Sequence, residues 1–114
     1  MESLSHEQCV PCRGGEPSLG KEKVQELLVH LPEWEVRERR DIPRLRRKFR
    51  FPDFTAALEF TWRVGEAADA AGHHPRLITE WGAVTVEWWT HAIRGLHRND
   101  FIMASRTDEL YSAG

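Results

Sequence analysis

The sequence predicts an α+β domain in which a four-stranded antiparallel sheet carries three helices on one face, in the order α-β-β-α-β-β-α. Two observations predict this fold. Segments with alternating apolar and polar residues occur as two adjacent pairs, each joined by a short turn, which is typical of β-hairpins. Segments with apolar residues at helical spacing precede, separate and follow these pairs. A chain of 114 residues is long enough for one small domain.

The first helix is predicted over residues 20–31, where apolar residues recur at helical spacing and Pro32 ends the pattern. The first hairpin follows, with strands over residues 34–40 and 44–51 and a turn over residues 41–43. The second of these strands has basic residues at every even-numbered position. We therefore expect the face of the sheet opposite the helices to carry these side chains: Arg44, Arg46, Lys48 and Arg50.

The longest helix is predicted to begin at Pro52 and Asp53 and to end before Gly72 and Pro75. One apolar stripe is expected to face the core: Phe54, Ala57, Leu58, Thr61, Val64 and Ala68. Phe60 and Trp62 lie off that stripe. A second apolar face on this helix indicates contact with a partner subunit.

The second hairpin is predicted over residues 77–81 and 83–89, with a tight turn at Gly82. The final helix is predicted over residues 99–111. Residues 19–114 then form one domain. Residues 1–18, which are rich in Gly, Pro and polar residues, form an irregular N-terminal arm.

The composition excludes several classes of protein. Lys and Arg number 16 and Asp and Glu number 18, so the formal charge is 16 − 18 = −2. The basic strand is expected to be a solvated face balanced by neighbouring acids, and nucleic acid is not expected as a partner. No apolar run approaches the roughly 20 residues of a transmembrane helix, and the polar N-terminus does not resemble a secretory signal. We therefore expect no membrane association. Two cysteines cannot form a disulfide scaffold, so we also expect a cytoplasmic location.

Three segments carry residues suited to acid–base chemistry, and each lies at the end of a predicted element: Asp69-x3-His73-His74-Pro75, Thr90-His91 and Asp100. A histidine with its pKa near ambient pH can serve as a general acid or base. Taken singly, each segment also has a structural explanation, since histidine is common at exposed helix ends and acids are common at helix N-termini. Together the segments place three histidines and two acids at ends of elements that can meet on one rim.

The arm contains a second candidate, His6-x2-Cys9-x2-Cys12. This spacing suits metal ligands, but a tetrahedral zinc site needs a fourth ligand and none is obvious nearby. A redox role for the two cysteines would require a βαβ setting, which is absent. We favour a structural or incidental role and expect no bound metal.

The joint spacing of the candidate residues resembles the signature of the pterin-4a-carbinolamine dehydratases: Asp69-x3-His73-His74-Pro75-x5-Trp81-x9-His91-x8-Asp100. The supporting frame is also similar, with Trp34 after the first helix, Lys48-Phe49-Arg50-Phe51 before the long helix and Gly95-Leu96 after Thr90-His91. The arm, Cys9-Val10-Pro11-Cys12-Arg13-Gly14-Gly15, resembles the leader of many bacterial members. The resemblance covers nearly the whole chain.

This resemblance implies dehydration of 4a-hydroxytetrahydropterin to quinonoid dihydropterin, a step in the recycling of pterin cofactors. It implies the catalytic residues His73, His74 and His91, with His73 and His91 as the acid/base pair and His74 holding substrate. Asp69 and Asp100 would support the imidazoles. The residues expected to line the pterin pocket are His73, His74, Pro75, Thr90, His91, Ala92 and Ile93. Neither proton transfer needs a metal or a redox cofactor, so no cofactor is expected, and family members form homodimers or homotetramers.

One position departs from the family pattern, and it keeps an alternative function open. The family usually has Ser or Thr after Gly95-Leu96, where this chain has His97. We expect His97 to cap the last helix poorly and Asn99 to take over. Some members act instead as dimerisation partners of a transcription factor, and bacterial relatives assist Rubisco assembly without dehydratase activity. A catalytically inactive protein-binding or assembly factor is therefore the alternative.

Overall fold

The computed structural model describes residues 4–11 and 14–113, and it confirms the predicted α+β fold and element order. The helices and strands have these bounds: α1 Lys21–Leu28, β1 Glu35–Arg39, β2 Ile42–Arg50, α2 Phe54–Ala71, β3 Arg76–Glu80, β4 Ala83–Trp88 and α3 Arg98–Ala113. Two short 3₁₀ helices lie outside this order, at Leu4–His6 and at His91–Ile93. None of the helices in these ranges has both the length and the apolar character needed to cross a membrane.

The four strands form one antiparallel sheet in the order β1-β2-β4-β3, so β2 and β4 are its central strands. Their register pairs Leu45 with Trp88 and Phe49 with Val84. These four side chains are buried. Because alternate residues of a strand point to the same face, this register gives the sheet one apolar face, which the helices cover.

The core extends from this face of the sheet to all three helices. Leu27 of α1, Phe60 of α2 and Phe101 of α3 are buried in it. The largest fully buried side chain is that of Trp88, whose indole N–H donates to the Thr107 hydroxyl at 3.1 Å. That hydroxyl in turn donates to a backbone carbonyl of α3 at 2.6 Å. Each of these polar groups is therefore satisfied inside the core.

The first hairpin turns one residue earlier than predicted. Its turn is formed by Arg40 and Asp41, which have φ values of 53° and 63°. Positive φ at both central residues gives a turn whose twist matches that of the flanking strands. Ile42 and Pro43 belong to β2, so the prediction of a turn over residues 41–43 was wrong. Proline is accepted there because β2 pairs with β4 only from Leu45 onward, so at Pro43 the strand still has an unpaired edge.

The apolar face of α2 is rotated from the predicted stripe. The buried residues of the helix are Ala57, Phe60, Val64 and Ala68. The placement of Phe60 on a separate exposed face was wrong, because its ring packs between Phe49 and Phe51 of the core. Phe54 and Leu58 were expected in the core but are 43% and 47% exposed, and Trp62 is 64% exposed. The helix does have a second apolar face, but Phe54, Leu58 and Trp62 form it.

Candidate active site

Three of the predicted histidines line one cavity of about 510 Å³, a size typical of small-molecule sites. The cavity lies between the end of α2, the loop that follows β4 and the start of α3. Predicted residues found in its wall are His73, His74, Thr90, His91 and Ala92. The fold therefore brings together side chains from two segments that are far apart in the sequence.

Gly72 ends α2 and directs the chain into the cavity. It has φ 65°, a left-handed conformation that costs glycine little, and its N–H donates to Asp69 O at 3.2 Å. The N–H of His73 donates to Ala68 O, also at 3.2 Å. The helix thus ends in a hydrogen-bonded turn, and this turn fixes the direction in which the chain continues into His73 and His74. At the other end, the Asp53 carboxylate caps the helix by accepting from Ala56 N at 2.8 Å.

Asp100 is the buried centre of a hydrogen-bond network that holds His73. Its side chain is fully buried, and its Oδ1 lies 2.6 Å from His73 Nε2. Its Oδ2 accepts from the Thr90 hydroxyl at 2.8 Å and from the His97 N–H at 2.9 Å. The His73 ring also stacks on Trp88, with 5.7 Å between ring centroids and 9° between ring planes. One carboxylate therefore joins α2, the β4 loop and α3 at a single point.

His97 caps α3, which corrects the expectation that it would cap poorly. Its Nδ1 accepts from the Asn99 N–H at 3.0 Å, while Asp100 accepts from the His97 N–H. This reciprocal arrangement is similar to a capping box, but the cap is an imidazole nitrogen and it accepts from the second helical residue instead of the third. The expectation that Asn99 takes over the cap was wrong, because its side chain bonds the N-terminal arm instead.

His74 and Asp69 form a second pair at the outer edge of the cavity. His74 Nε2 lies 2.8 Å from Asp69 Oδ1, and both side chains are exposed. The two residues are separated by the last turn of α2, so the helix end itself sets their distance. Water competes for such a contact, which makes it weaker than the buried His73 pair.

His91 lies on a short closed loop. The loop begins and ends at Thr90 and Gly95, which form an isolated antiparallel bridge in which Thr90 N donates to Gly95 O at 2.9 Å. The His91 ring is stacked on Trp89, with 4.6 Å between centroids and 13° between planes. Among the described residues no hydrogen bond of the His91 side chain is found. Its nitrogens are therefore available to a molecule in the cavity.

Trp89 contacts Arg44 as well as His91. The guanidinium carbon of Arg44 lies 3.8 Å from the Trp89 ring centroid. Arg44 is buried on the helix-free face of the sheet, and burial lowers its pKa while nearby Glu87 opposes that shift. Its Nε has no partner among the described residues. Arg46 and Arg76 also lie within 4.0 Å of Glu87. The negative charge that was predicted to balance the basic face is therefore concentrated on one buried carboxylate.

The N-terminal arm supplies the part of the cavity wall that sequence reasoning missed. Cys9, Val10 and Pro11 line the cavity together with Asn99. Burial raises the pKa of the Cys9 thiol. No local signal marks these residues as part of a site, because Val10 and Asn99 are 89 positions apart in the sequence.

The remaining predicted residues lie elsewhere or outside the described ranges. Pro75 adjoins a neighbouring shallow cavity beside Trp62 and Asp69, and Ile93 is half-buried in the loop, its N–H donating to Thr90 O. Cys12 lies outside the described residues, so its possible pairing with Cys9 in a metal or redox site stays untested. Within residues 4–11 and 14–113, no group of three or more His, Cys, Asp or Glu side chains is arranged to hold a metal ion.

The fold and the cavity define a small α+β protein in which three histidines line one site. The family model described as pterin 4 alpha carbinolamine dehydratase matches residues 17–110. The chain belongs to this family.

Curated relatives align over almost the whole chain. The "Putative pterin-4-alpha-carbinolamine dehydratase" of Chlorobium limicola is 58% identical over 111 residues, which cover 97% of this chain and 98% of that protein. The protein of the same name from Nitrosococcus oceani is 49% identical over 110 residues, covering 96% of this chain and 97% of that protein.

Solved structures show the same fold. A transcriptional coactivator/pterin dehydratase from Brucella melitensis superposes with a TM-score of 0.75 and 25% identity, covering 83% of this chain and 99% of that chain. A pterin dehydratase-like protein identified as a RuBisCO assembly factor in the alpha-carboxysome gives a TM-score of 0.59 and 19% identity, covering 69% of this chain and 89% of that chain. At that identity the second likeness establishes the fold alone.

Proposed function

We propose that this protein dehydrates 4a-hydroxytetrahydropterin to quinonoid dihydropterin, and so returns a spent pterin cofactor to its cycle. The observation that carries the proposal is the meeting of His73, His74 and His91 around one cavity in a chain of this family. The cytoplasmic location expected from the two cysteines remains a prediction.

The reaction requires two proton transfers. The bond between C4a and its hydroxyl oxygen breaks, and a general acid protonates the oxygen so that it leaves as water. The proton on N5 passes to a general base, and the N5 electron pair forms the C4a=N5 double bond. No electrons are gained or lost overall. Positioned histidines are suited to both transfers near neutral pH, and each such transfer contributes about 10² to 10⁴ in rate.

We assign His73 to one of these transfers because its tautomer is fixed. Asp100 Oδ2 already accepts two hydrogen bonds, and its Oδ1 accepts the proton on His73 Nε2. The nitrogen left to exchange a proton with substrate is therefore Nδ1. The contact with Trp88 holds the ring plane, so His73 presents Nδ1 in one orientation.

We assign His91 to the other transfer. Its ring is exposed and free of side-chain hydrogen bonds to the rest of the described chain, but the stack on Trp89 covers one ring face. This arrangement limits rotation and leaves both ring nitrogens open to substrate. His74, with Asp69 behind it, would hold the substrate at the outer edge of the cavity. We propose that Pro75, Thr90, Ala92 and Ile93 complete the surroundings of the pterin ring.

The decisive experiment follows dehydration of chemically generated 4a-hydroxytetrahydropterin by its ultraviolet absorbance. We expect clear acceleration over the spontaneous reaction, and a loss of about 10² or more in that acceleration for His91→Ala and for His73→Ala. The matched control is His30→Ala, since His30 is an exposed histidine at the end of α1 and is not in the cavity wall. Absence of acceleration by folded protein would overturn the dehydratase assignment in favour of a protein-binding role.

We further propose that the chain forms homodimers or homotetramers. Phe54, Leu58 and Trp62 expose an apolar face on α2 that a second copy can cover. Light scattering tests this, and we expect Trp62→Glu to shift the assembly toward smaller species without loss of fold. An unchanged mass for Trp62→Glu would place any interface elsewhere.

A further inference from the structure

The arm runs along one side of the cavity that contains the three histidines. Cys9, Val10 and Pro11 lie in its wall, although the family model begins only at residue 17. This wall is therefore contributed by a segment outside the matched domain. The Chlorobium limicola relative, whose alignment covers 97% of this chain, aligns with the arm as well.

Asn99 holds the arm by its backbone. Its Oδ1 accepts from the Val10 N–H at 3.0 Å, and its Nδ2 donates to the Val10 carbonyl at 2.7 Å. One carboxamide thus satisfies both backbone groups of one residue, as a neighbouring strand would. Asn99 is itself 3% exposed, so the geometry of this contact is fixed by the start of α3. The two neighbours of Val10, Cys9 and Pro11, are placed by the same contact.

Further contacts anchor the arm upstream of this point. The Glu7 carboxylate accepts two hydrogen bonds from the Arg98 guanidinium, at 2.7 Å and 2.8 Å. Arg106 donates to the backbone carbonyls of Ser5 and Glu7, and Leu4 is buried in the core. A bidentate charge pair and a buried apolar residue together hold this part of the arm in one position.

The arm is also fitted downstream to the loop that carries His91. Leu19, the residue directly after the arm, donates through its N–H to the carbonyl of Leu96, the residue directly after that loop, at 2.9 Å. A Cβ on Gly95 would lie 2.8 Å from the Ser18 Cβ, so only glycine permits the arm to pass this close. The arm is therefore attached on both sides of its cavity-lining residues.

We propose that the arm is a substrate-contacting wall of the pterin pocket, with Cys9 at its inner surface and Asn99 as the residue that positions it. This proposal rests on the proposed function. The arm closes one side of the space in which the substrate must sit, so it acts on substrate binding. The proton transfers remain with the histidines, and a change confined to the arm is expected to alter KM with kcat preserved.

The first test uses Cys9 as a reporter in the Cys12→Ser background, where it is the one remaining thiol. Alkylation by iodoacetamide is followed with and without 7,8-dihydrobiopterin, and adenosine serves as a ring compound of similar size. We expect the dihydropterin to slow alkylation at least fivefold in a saturable way, and adenosine to have no effect. Full alkylation at dihydropterin concentrations that inhibit dehydration would overturn the proposal.

This test separates the arm from the proposed reaction, because protection requires binding and does not require catalysis. Protection of Cys9 by a protein that does not accelerate dehydration would support the arm as a wall and overturn the dehydratase assignment. Acceleration of dehydration without protection of Cys9 would support the dehydratase assignment and overturn the arm as a wall. If the protein neither accelerates dehydration nor shows protection of Cys9, both proposals are overturned.

The second test fills the cavity from the arm. Cys9→Trp introduces a large side chain at the inner surface, and Gln8→Trp introduces the same side chain at an exposed arm position outside the cavity wall. We expect KM to rise at least tenfold in Cys9→Trp, with kcat within about twofold of the parent, and to stay unchanged in Gln8→Trp. An unchanged KM in Cys9→Trp would overturn the proposal.

Discussion

The adjacent histidines at the end of α2 make the same contact in opposite surroundings. His73 Nε2 is 2.6 Å from Asp100 Oδ1, and these side chains are 11% and 0% exposed. His74 Nε2 is 2.8 Å from Asp69 Oδ1, but these side chains are 61% and 81% exposed. The two contacts therefore differ in strength although their distances are similar, because water and salt compete only with the exposed pair. Burial decides which of the two pairs organises the site.

The two pairs also differ in their connections. Asp100 joins three segments of the chain through His73, Thr90 and His97. Asp69 bonds a residue that the end of its own helix already places nearby. Loss of Asp100 would therefore leave several groups unpaired at once, whereas loss of Asp69 would leave one exposed imidazole to water.

The largest effect is expected for Asp100→Asn. The amide retains the shape of the carboxylate, but its NH₂ group must face one of the donors that Asp100 now accepts from. We expect the dehydration rate to fall about 100-fold or more and the free energy of unfolding to fall by about 3 kcal/mol. Rate measurements and urea denaturation test both. Near-normal activity would contradict the fixed tautomer of His73.

Trp89→Ala is expected to have a smaller effect, and it tests the catalytic role proposed for His91. It removes the ring that holds His91 and uncovers Arg44. We expect about a tenfold loss of kcat, since a displaced catalytic group loses rate even when it is chemically intact. Trp89→Phe keeps a ring for stacking and should retain most activity. Equal losses in both variants would show that stacking on His91 is not the cause.

A third prediction concerns the Cys9 thiol at the arm side of the cavity. Burial is the main cause of its raised pKa, nearby Asp100 adds to the rise and Arg106 opposes it. The neutral thiol is the form favoured in the folded protein. The pH–rate profile of iodoacetamide alkylation in Cys12→Ser should therefore have its midpoint above the ordinary value of 9.0.

Asn99→Ala supplies the control for this profile. Freeing the Val10 backbone should expose Cys9 and move the midpoint back toward 9.0. A midpoint at or below 9.0 in the parent protein would contradict the burial of the thiol.

The smallest effect is expected for Asp69→Asn, the exposed counterpart of the first variant. We expect a loss of unfolding free energy below about 0.5 kcal/mol and a change in activity of no more than about threefold. The same two assays as for Asp100→Asn give a direct comparison. A loss as large as that of Asp100→Asn would show that distance, and not burial, ranks the two pairs.

Much of the fold could be predicted because its signals are local. Gly72 and Gly82 both adopt positive φ, and Asp53 caps α2, so the predicted ends of elements depended on chemistry within a few residues. Errors arose where two local patterns competed. Pro43 indicated a turn, yet the chain turns at Arg40 and Asp41. The apolar residues of α2 allowed two overlapping stripes, and only packing against the sheet selected the one with Phe60.

The site could be predicted in part. The spacing from Asp69 to Asp100 identified the histidines, and the structure places His73, His74 and His91 around one cavity. The capping role of His97 could not be predicted, because an imidazole caps only when its Nδ1 is aimed at the next turn. The sharing of one carboxylate among three donors likewise depends on how three segments pack.

The sequence by itself determined the order of the elements and the family, and it supplied the histidines for which we propose acid–base roles, because these follow from local periodicity and from a motif of fixed spacing. Only the tertiary structure decided that the arm joins the site. Val10 and Asn99 are 89 positions apart, and neither residue type indicates a partner at that distance. Contacts of this kind depend on the path of the whole chain, which no local pattern encodes.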